Sequence, residues 1–248
     1  MSTGFTAHRN TDGATGFMVD KLNFPNKAQA KLIRDEYFER YHSTAKGLQI
    51  AELEGRLPIP PGGLSQGQKI FDPEELSVWW AENLDFSLLG DIDPELVHIL
   101  ETCPKKMIAF SNGPRAYVLR VLSEMGLSKV FPEENVFAVN DVLPACKPEP
   151  EAFQKVFEAI GVKDPSECVM IEDSMKNIRA SKLLGMSTVL VVGKGRMSTD
   201  PNECNIELAN AAEATKAGDA PDIMDDSVDV SIEVVKDMKK ALPALWES

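Results

Sequence analysis

The sequence predicts an α/β fold in which helices cover both faces of a parallel sheet. After Lys106, short apolar runs of strand length alternate with segments that have the apolar spacing of amphipathic helices. Strands that are apolar at consecutive positions and separated by single helices are typical of parallel sheets with right-handed crossovers. The predicted strands are residues 107–110, 136–139, 168–171, 188–192 and 228–230, and the predicted helices are residues 114–125, 149–160 and 175–184.

Residues 26–100 have a different, helical pattern. Apolar side chains recur at spacings of three and four from Ala30 to Tyr41, and the pairs Asp72-Pro73 and Asp93-Pro94 are helix-start signals. Residues 55–67 are rich in proline and glycine and predict a loop, and residues 194–222 predict a surface insertion. We therefore divide the chain into an atypical N-terminal segment (residues 1–17), a helical domain (18–100) and an α/β core (101–248).

Composition excludes several classes of function. The 248 residues carry a formal net charge of −13, which disfavours nucleic acid and anionic membranes as partners. The apolar runs are far too short to span a bilayer, and the N-terminus has no signal-peptide pattern. The four cysteines show neither pairing nor metal-ligand spacing. These features predict a cytoplasmic protein that acts on small molecules.

Polar residues follow the predicted strands 107–110 and 168–171, and a lysine precedes the predicted helix 149–160. In parallel sheets of this kind, ligands bind where the carboxyl ends of the strands meet the next loops. The candidate residues are Ser111, Asn112, Gly113, Lys147, Glu172 and Asp173.

This order of residue types is suited to phosphoryl chemistry. A phosphoryl group needs hydrogen-bond donors for its oxygens, a fixed cation and carboxylates that hold Mg²⁺. Ser111 and the backbone N–H groups of Asn112 and Gly113 are the candidate donors, helped by the positive end of the helix near Pro114. Lys147 supplies the cation, and the Glu172–Asp173 pair supplies hard oxygen ligands.

These segments resemble the haloacid dehalogenase superfamily. Residues 108–113, the pair Lys147-Pro148 and residues 171–178 are similar to motifs II, III and IV of that superfamily. Residues 37–48, 72–76 and 242–246 are similar to its pyrimidine 5′-nucleotidase-like branch. The resemblance runs from Phe17 to the C-terminus and implies a Rossmann-like core beneath a helical cap.

The resemblance also implies residue roles and a substrate class. Ser111 would bind the transferring phosphoryl group, Lys147 would steady it, and Asp173 would coordinate Mg²⁺ with support from Glu172. The cap would select the leaving group, and the cap residues that we expect to line the substrate are Tyr41, His42 and Thr44. The implied activity is that of a Mg²⁺-dependent phosphatase acting on a small phosphorylated metabolite, with a nucleoside 5′-monophosphate as first candidate.

The first motif of the superfamily has no counterpart in this sequence. That motif is an apolar strand that ends in Asp-x-Asp, whose first aspartate is the nucleophile. Ahead of the predicted cap the sequence offers only Asp12, without a preceding apolar strand. We therefore expect that the central strand of the sheet is absent, that the sheet is split and that self-association follows, because unpaired strand edges pair readily with other chains.

Three interpretations stay open at the level of the sequence. The N-terminus is incomplete or replaced, so that the sequence is a truncated relative of a working enzyme. Alternatively, the protein has lost catalysis and uses its phosphate pocket or cap surface as a binding or regulatory module. In the third interpretation, the motif residues are only helix caps and turns.

Overall fold

The computed structural model describes residues 3–194, 197 and 219–247, and it confirms the predicted α/β fold. Within these residues, each strand pairs with its neighbours in parallel. The strands are β1 (Ala109–Phe110), β2 (Val136–Phe137), β3 (Val169–Glu172), β4 (Ser187–Val191) and β5 (Val230–Ile232). Most of the predicted insertion lies outside the described residues.

Helices precede β1 and separate most of the strands. They are α1 (Thr3–His8), α2 (Ala14–Lys21), α3 (Lys27–Tyr41), α4 (Thr44–Leu53), α5 (Pro73–Asn83), α6 (Pro94–Glu101), α7 (Arg115–Glu124), α8 (Val139–Val142), α9 (Pro150–Ile160), α10 (Met175–Leu183) and α11 (Met238–Ala241). The helix starts predicted at Pro73 and Pro94 are both observed. None of the helices in the described part of the chain combines the length and the apolar character that crossing a membrane requires.

The chain divides into two compact units, and each contains one sheet. Unit 1 comprises Met1–Asp93 and Met107–Cys146 and contains the pair β1-β2. Unit 2 comprises Pro94–Lys106 and Lys147–Ser248 and contains the strands in the order β3-β4-β5. These units are defined by compactness, so the cap and core domains predicted from the sequence, with their boundary near residue 100, remain a prediction.

The N-terminal segment is helical and belongs to the core of unit 1. A π-helical turn at Arg9–Gly13 joins α1 to α2, and the side chains of Phe5 and Phe17 are completely buried. The indole N–H of Trp80 donates to the carbonyl of Gly13 at 3.1 Å. The sequence indicated only that this segment is a poor strand, whereas the structure shows that it is a packed helical element.

Local capping explains where the helices of the first half begin. Asn26, Ser43 and Asp72 each precede a helix, and each accepts a hydrogen bond from a backbone N–H of the first turn. Such caps satisfy donors that have no partner inside the helix. The helix α3 ends at Tyr41 and is followed by His42, which has left-handed backbone geometry, and Ser43 then caps the next helix.

Unit 2 is built around β4 and α10. Strand β4 pairs with β3 on one side and β5 on the other, and the side chain of Leu190 is completely buried. The helix α10 packs its Met175 and Ile178 side chains into the same apolar cluster. Because only a short loop joins β3 to α10, this packing fixes Glu172 at the strand end and Asp173 in the loop.

Candidate functional site

The Ser111–Gly113 loop follows β1 in unit 1 and is held at both ends by backbone hydrogen bonds. The N–H of Ser111 donates to the carbonyl of Phe137 at 2.9 Å, and the carbonyl of Gly113 accepts from Val139 at 3.0 Å. Both partners lie at or just after the neighbouring strand β2. The position after a strand that the sequence predicted for Ser111, Asn112 and Gly113 is therefore confirmed.

Within this loop the Ser111 hydroxyl is oriented by Gly113. The N–H of Gly113 donates to Ser111 Oγ at 3.0 Å, which uses a lone pair of that oxygen and leaves its hydrogen able to donate. A Cβ on Gly113 would lie 2.9 Å from the Tyr117 ring. Only glycine permits this close approach, so the geometry of the Ser111 hydroxyl depends on it.

The start of α7, directly after the loop, is capped by side chains of unit 1. The N–H of Arg115 donates to Asn140 Oδ1 at 3.0 Å, and the N–H of Ala116 donates to Ser77 Oγ at 2.7 Å. These two amides lie at the helix start that the sequence suggested would help to bind an anion, and both are already engaged. The Gly113 N–H is engaged by Ser111 Oγ, while the Ser111 hydroxyl keeps a hydrogen that can donate to a ligand.

Lys147 and Glu172 form a buried ion pair in unit 2. The Lys147 Nζ lies 2.6 Å from Glu172 Oε2, and the two side chains are only 7% and 12% exposed. Glu172 is the last residue of β3, and Lys147 precedes α9. A buried charge is costly without a partner, so this pairing stabilises both groups in their charged forms.

Four donors surround the Glu172 carboxylate. Its Oε2 accepts from Lys147 and, at 3.1 Å, from the Asn177 side chain, while its Oε1 accepts from the N–H groups of Asp173 and Ser174 at 3.1 and 3.4 Å. Burial raises the pKa of Glu172, but the Lys147 charge and the bonds from Asp173 and Lys147 outweigh this effect and lower the pKa to about 2. Glu172 is therefore a fixed anion that organises the loop.

Asp173 lies at the solvent-exposed side of this cluster. Displacement of water by the surrounding protein, followed by the negative charge of Glu172, raises the pKa of Asp173 to about 7. Without a metal ion to offset the two negative charges, the ionised form of Asp173 is thus less favourable in the folded protein than in water.

This raised pKa predicts a stabilising substitution, Asp173→Asn. The folded state favours the neutral form of Asp173. The free energy of unfolding therefore falls progressively as pH rises from the ordinary pKa of this carboxyl, 3.8, towards its folded-state pKa of about 7. Asparagine removes that penalty. We expect the variant to have a higher free energy of unfolding at pH 8, by less than about 1 kcal/mol because solvent screens the exposed group, and no difference at pH 3.5.

Urea unfolding at both pH values in a chelating buffer measures this effect. Asp164→Asn is the control, because backbone and side-chain bonds from Ser166 lower the pKa of Asp164. That variant is expected not to gain stability at pH 8. A wild-type chain that is as stable as Asp173→Asn at pH 8 would contradict the raised pKa.

The carboxylates of this cluster fit Mg²⁺ as a partial site. Mg²⁺ is usually bound by one or two carboxylates together with waters and phosphate oxygens. Asp173 has the right chemistry and exposure, while the oxygens of Glu172 already accept hydrogen bonds, so Glu172 fits better as support. Within the described residues, no group of three or more His, Cys, Asp or Glu side chains is arranged to hold a metal.

The cap residues predicted to line the substrate differ in their surroundings. The Tyr41 ring has the Arg40 guanidinium 5.1 Å and the Lys46 ammonium 5.5 Å from its centroid. His42 packs edge-on against a phenylalanine ring, and Thr44 is buried at the start of α4. Existing cation–π contacts therefore compete with any base that stacks on Tyr41, and contact with substrate stays a prediction for all three residues.

Neither of two further aspartate positions has the setting of the superfamily's nucleophile in the described structure. Asp12 is exposed and forms an ion pair with Lys27 at 2.9 Å within a helical segment. The sequence also contains an Asp-x-Asp at Asp91 and Asp93, which lies in a bend and loop ahead of α6. In the superfamily that motif ends a buried strand, and neither position in the described structure has that setting.

Comparison with protein families decides the affiliation of the chain. Residues 20–185 of the 248 match the family described as haloacid dehalogenase-like hydrolase. The chain belongs to the haloacid dehalogenase-like hydrolases. The matched region includes the Ser111 loop, Lys147 and the Glu172–Asp173 pair, so the residues that suggested the superfamily lie inside the matched segment.

The chain is also similar to individual proteins over part or most of its length. Over 91 residues the chain is 34% identical to a CBBY-like protein of Arabidopsis thaliana, a match that spans 33% of this chain and 28% of the relative. A haloacid dehalogenase (HAD) phosphatase from Thermococcus onnurineus is 20% identical over 95% of this chain and 89% of that one, with a TM-score of 0.51. L-2-haloacid dehalogenase from Xanthobacter autotrophicus is 18% identical over 93% and 91%, with a TM-score of 0.49.

Proposed function

We propose that this haloacid dehalogenase-like protein binds a small phosphomonoester together with Mg²⁺ and, as the sequence stands, does not hydrolyse it at an appreciable rate. The Lys147–Glu172 pair carries this proposal, because it holds an ammonium in a buried, fixed position at the start of α9. A fixed cation of this kind is what an enzyme offers to a phosphoryl group.

The remaining donors support the same ligand class. The Ser111 hydroxyl can donate to a phosphoryl oxygen, and the superfamily resemblance assigns it that task. Mg²⁺, held by Asp173 with water and phosphate oxygens, would neutralise the charge of the phosphoryl group. It would also relieve the repulsion between Asp173 and Glu172, which favours binding of the metal and the phosphomonoester together.

The expected lack of turnover follows from the missing nucleophile. Hydrolysis in this superfamily needs an aspartate that attacks phosphorus and a second that transfers a proton, and the sequence offers no such pair after a strand. If an aspartate-bearing strand is supplied, the same residues would support a Mg²⁺-dependent phosphatase. A nucleoside 5′-monophosphate is the first candidate ligand, because the cap sequence resembles the pyrimidine 5′-nucleotidase-like branch.

Calorimetric titration with uridine monophosphate and Mg²⁺ tests the binding proposal. Ser111→Ala is expected to weaken binding about tenfold, because a hydrogen bond to a charged group contributes roughly 1.5 kcal/mol. Ser87→Ala is the matched control, since Ser87 is an exposed serine of unit 1 that bonds only locally, to Asp85. Absence of binding by the wild-type chain, for both uridine monophosphate and inorganic phosphate, would overturn the proposal.

A further inference from the structure

Ser43 connects the cap helix α4 to the phosphate-binding loop within unit 1. Its side chain is almost completely buried, at 2% exposure. Its Oγ donates to the carbonyl of Asn112 at 3.3 Å and accepts from the N–H of Lys46 at 3.4 Å. One hydroxyl therefore caps the helix and also holds the residue that follows Ser111.

The bond to Asn112 acts on the middle of a loop that is otherwise held at its ends. Backbone bonds to Phe137 and Val139 hold Ser111 and Gly113, and the Ser43 hydroxyl adds a contact to the peptide between them. The direction of that peptide sets where the Gly113 N–H points, and this N–H orients the Ser111 hydroxyl. A change at Ser43 is therefore transmitted to Ser111 through two residues.

We infer that Ser43 is a positioning residue for phosphoryl binding and that it couples the start of the cap helix to the Ser111 loop. This inference rests on the proposed phosphate-binding role of Ser111. The capping bond alone would require a hydroxyl only for helix stability. The second bond, which reaches a carbonyl 69 positions away in the chain, gives the same hydroxyl a role in the ligand loop.

The test compares Ser43→Ala with Ser43→Thr and Asn26→Ala, using inorganic phosphate in the presence of Mg²⁺ as the probe. Asn26 caps α3 in the same unit through a bond to Gln29 at 3.0 Å, so Asn26→Ala removes a helix cap that is local to α3. Ser43→Ala is expected to raise the dissociation constant for phosphate about fivefold, the effect of one neutral hydrogen bond. Ser43→Thr and Asn26→Ala are expected to bind like the wild type.

Hydrogen exchange of the amides of residues 111–113 gives a second readout that needs no ligand. Faster exchange in Ser43→Ala than in Asn26→Ala supports the positioning role, and equal exchange overturns it. Unchanged phosphate affinity in a folded Ser43→Ala variant also overturns it. If the wild-type chain binds no phosphate, the proposed function fails, and the exchange measurement alone then decides the role of Ser43.

Discussion

Addition of an apolar strand that ends in Asp-x-Asp to the N-terminus is expected to give the chain phosphatase activity. In the part of the chain that the structure describes, no Asp-x-Asp follows a strand, while Lys147, Ser111 and Asp173 are present. Loss of a covalent nucleophile costs on the order of 10⁶ in turnover in a well-studied hydrolase. Phosphate release from uridine monophosphate is therefore expected to rise by several orders of magnitude.

The extension has a close control in which both added aspartates are asparagines. That variant restores the strand without the nucleophile, so it separates a chemical effect from a structural one. Turnover only with the aspartates supports an incomplete catalytic set in this sequence. Equal turnover in both extensions, or in the original chain, would show that another group of the protein performs the chemistry.

Replacement of Lys147 by methionine is expected to have the largest effect on stability. The variant leaves the Glu172 carboxylate buried without its cation, and breaking a buried pair in this way costs about 3 kcal/mol or more. The same change removes the proposed phosphoryl-binding charge, so binding of uridine monophosphate should be lost. Urea unfolding and calorimetry on the same preparation measure both effects.

Lys182→Met is the matched control for this prediction. Lys182 pairs with Asp229 on the surface of the same unit, where the two side chains are 37% and 38% exposed. Solvent screens such a pair, so its loss is expected to cost less than about 1 kcal/mol and to leave ligand binding unchanged. Equal destabilisation by the two substitutions would contradict the account of the buried pair.

The cost of Lys147→Met should also depend on pH. The pKa of Glu172 is lowered to about 2 from an ordinary value of 4.5, so the pair contributes fully above pH 4.5 and its contribution disappears as pH falls through about 2. The difference between the variant and the wild type is therefore expected to shrink in acid. A constant difference from pH 7 to pH 3 would point to packing as its cause.

The sequence was informative where one pattern decided the local structure. Consecutive apolar residues predicted the parallel strands, and Asp-Pro pairs predicted two helix starts, because each depends on a few adjacent residues. The positions of Ser111 and Glu172 at strand ends followed from the strands. The hydrogen-bond partners of Glu172 were harder to predict from the sequence, because the bond from Asn177 depends on how α10 packs after β3.

The N-terminal helices show what the sequence did not reveal. Glycine disfavours helices, and this segment contains several glycines among small polar residues. In the structure, a Cβ on Gly13 would lie 2.4 Å from the Leu84 side chain, so the absence of a side chain permits tight packing of the segment. Burial of Phe5 and Phe17 in the core of unit 1 then outweighs the low helix propensity. The residues that cover these two rings lie far away in the sequence, so the burial could not be predicted from the local pattern.

Ser43 illustrates a similar limit within the candidate site. A serine before a helix predicts a cap, and the structure confirms that role. Its bond to Asn112 joins residues that are far apart in the chain, and the sequence contains no signal for it. The helix-capping role of Ser43 was therefore predictable, whereas the connection between α4 and the Ser111 loop was not.

The most direct test of binding without turnover is the phosphorus NMR spectrum of uridine monophosphate incubated with the chain and Mg²⁺. Our account predicts that the monoester resonance broadens or shifts as protein is added, while the inorganic phosphate signal stays at the level of a protein-free sample. A growing inorganic phosphate signal would contradict the missing nucleophile. An unchanged monoester resonance would contradict the proposed binding.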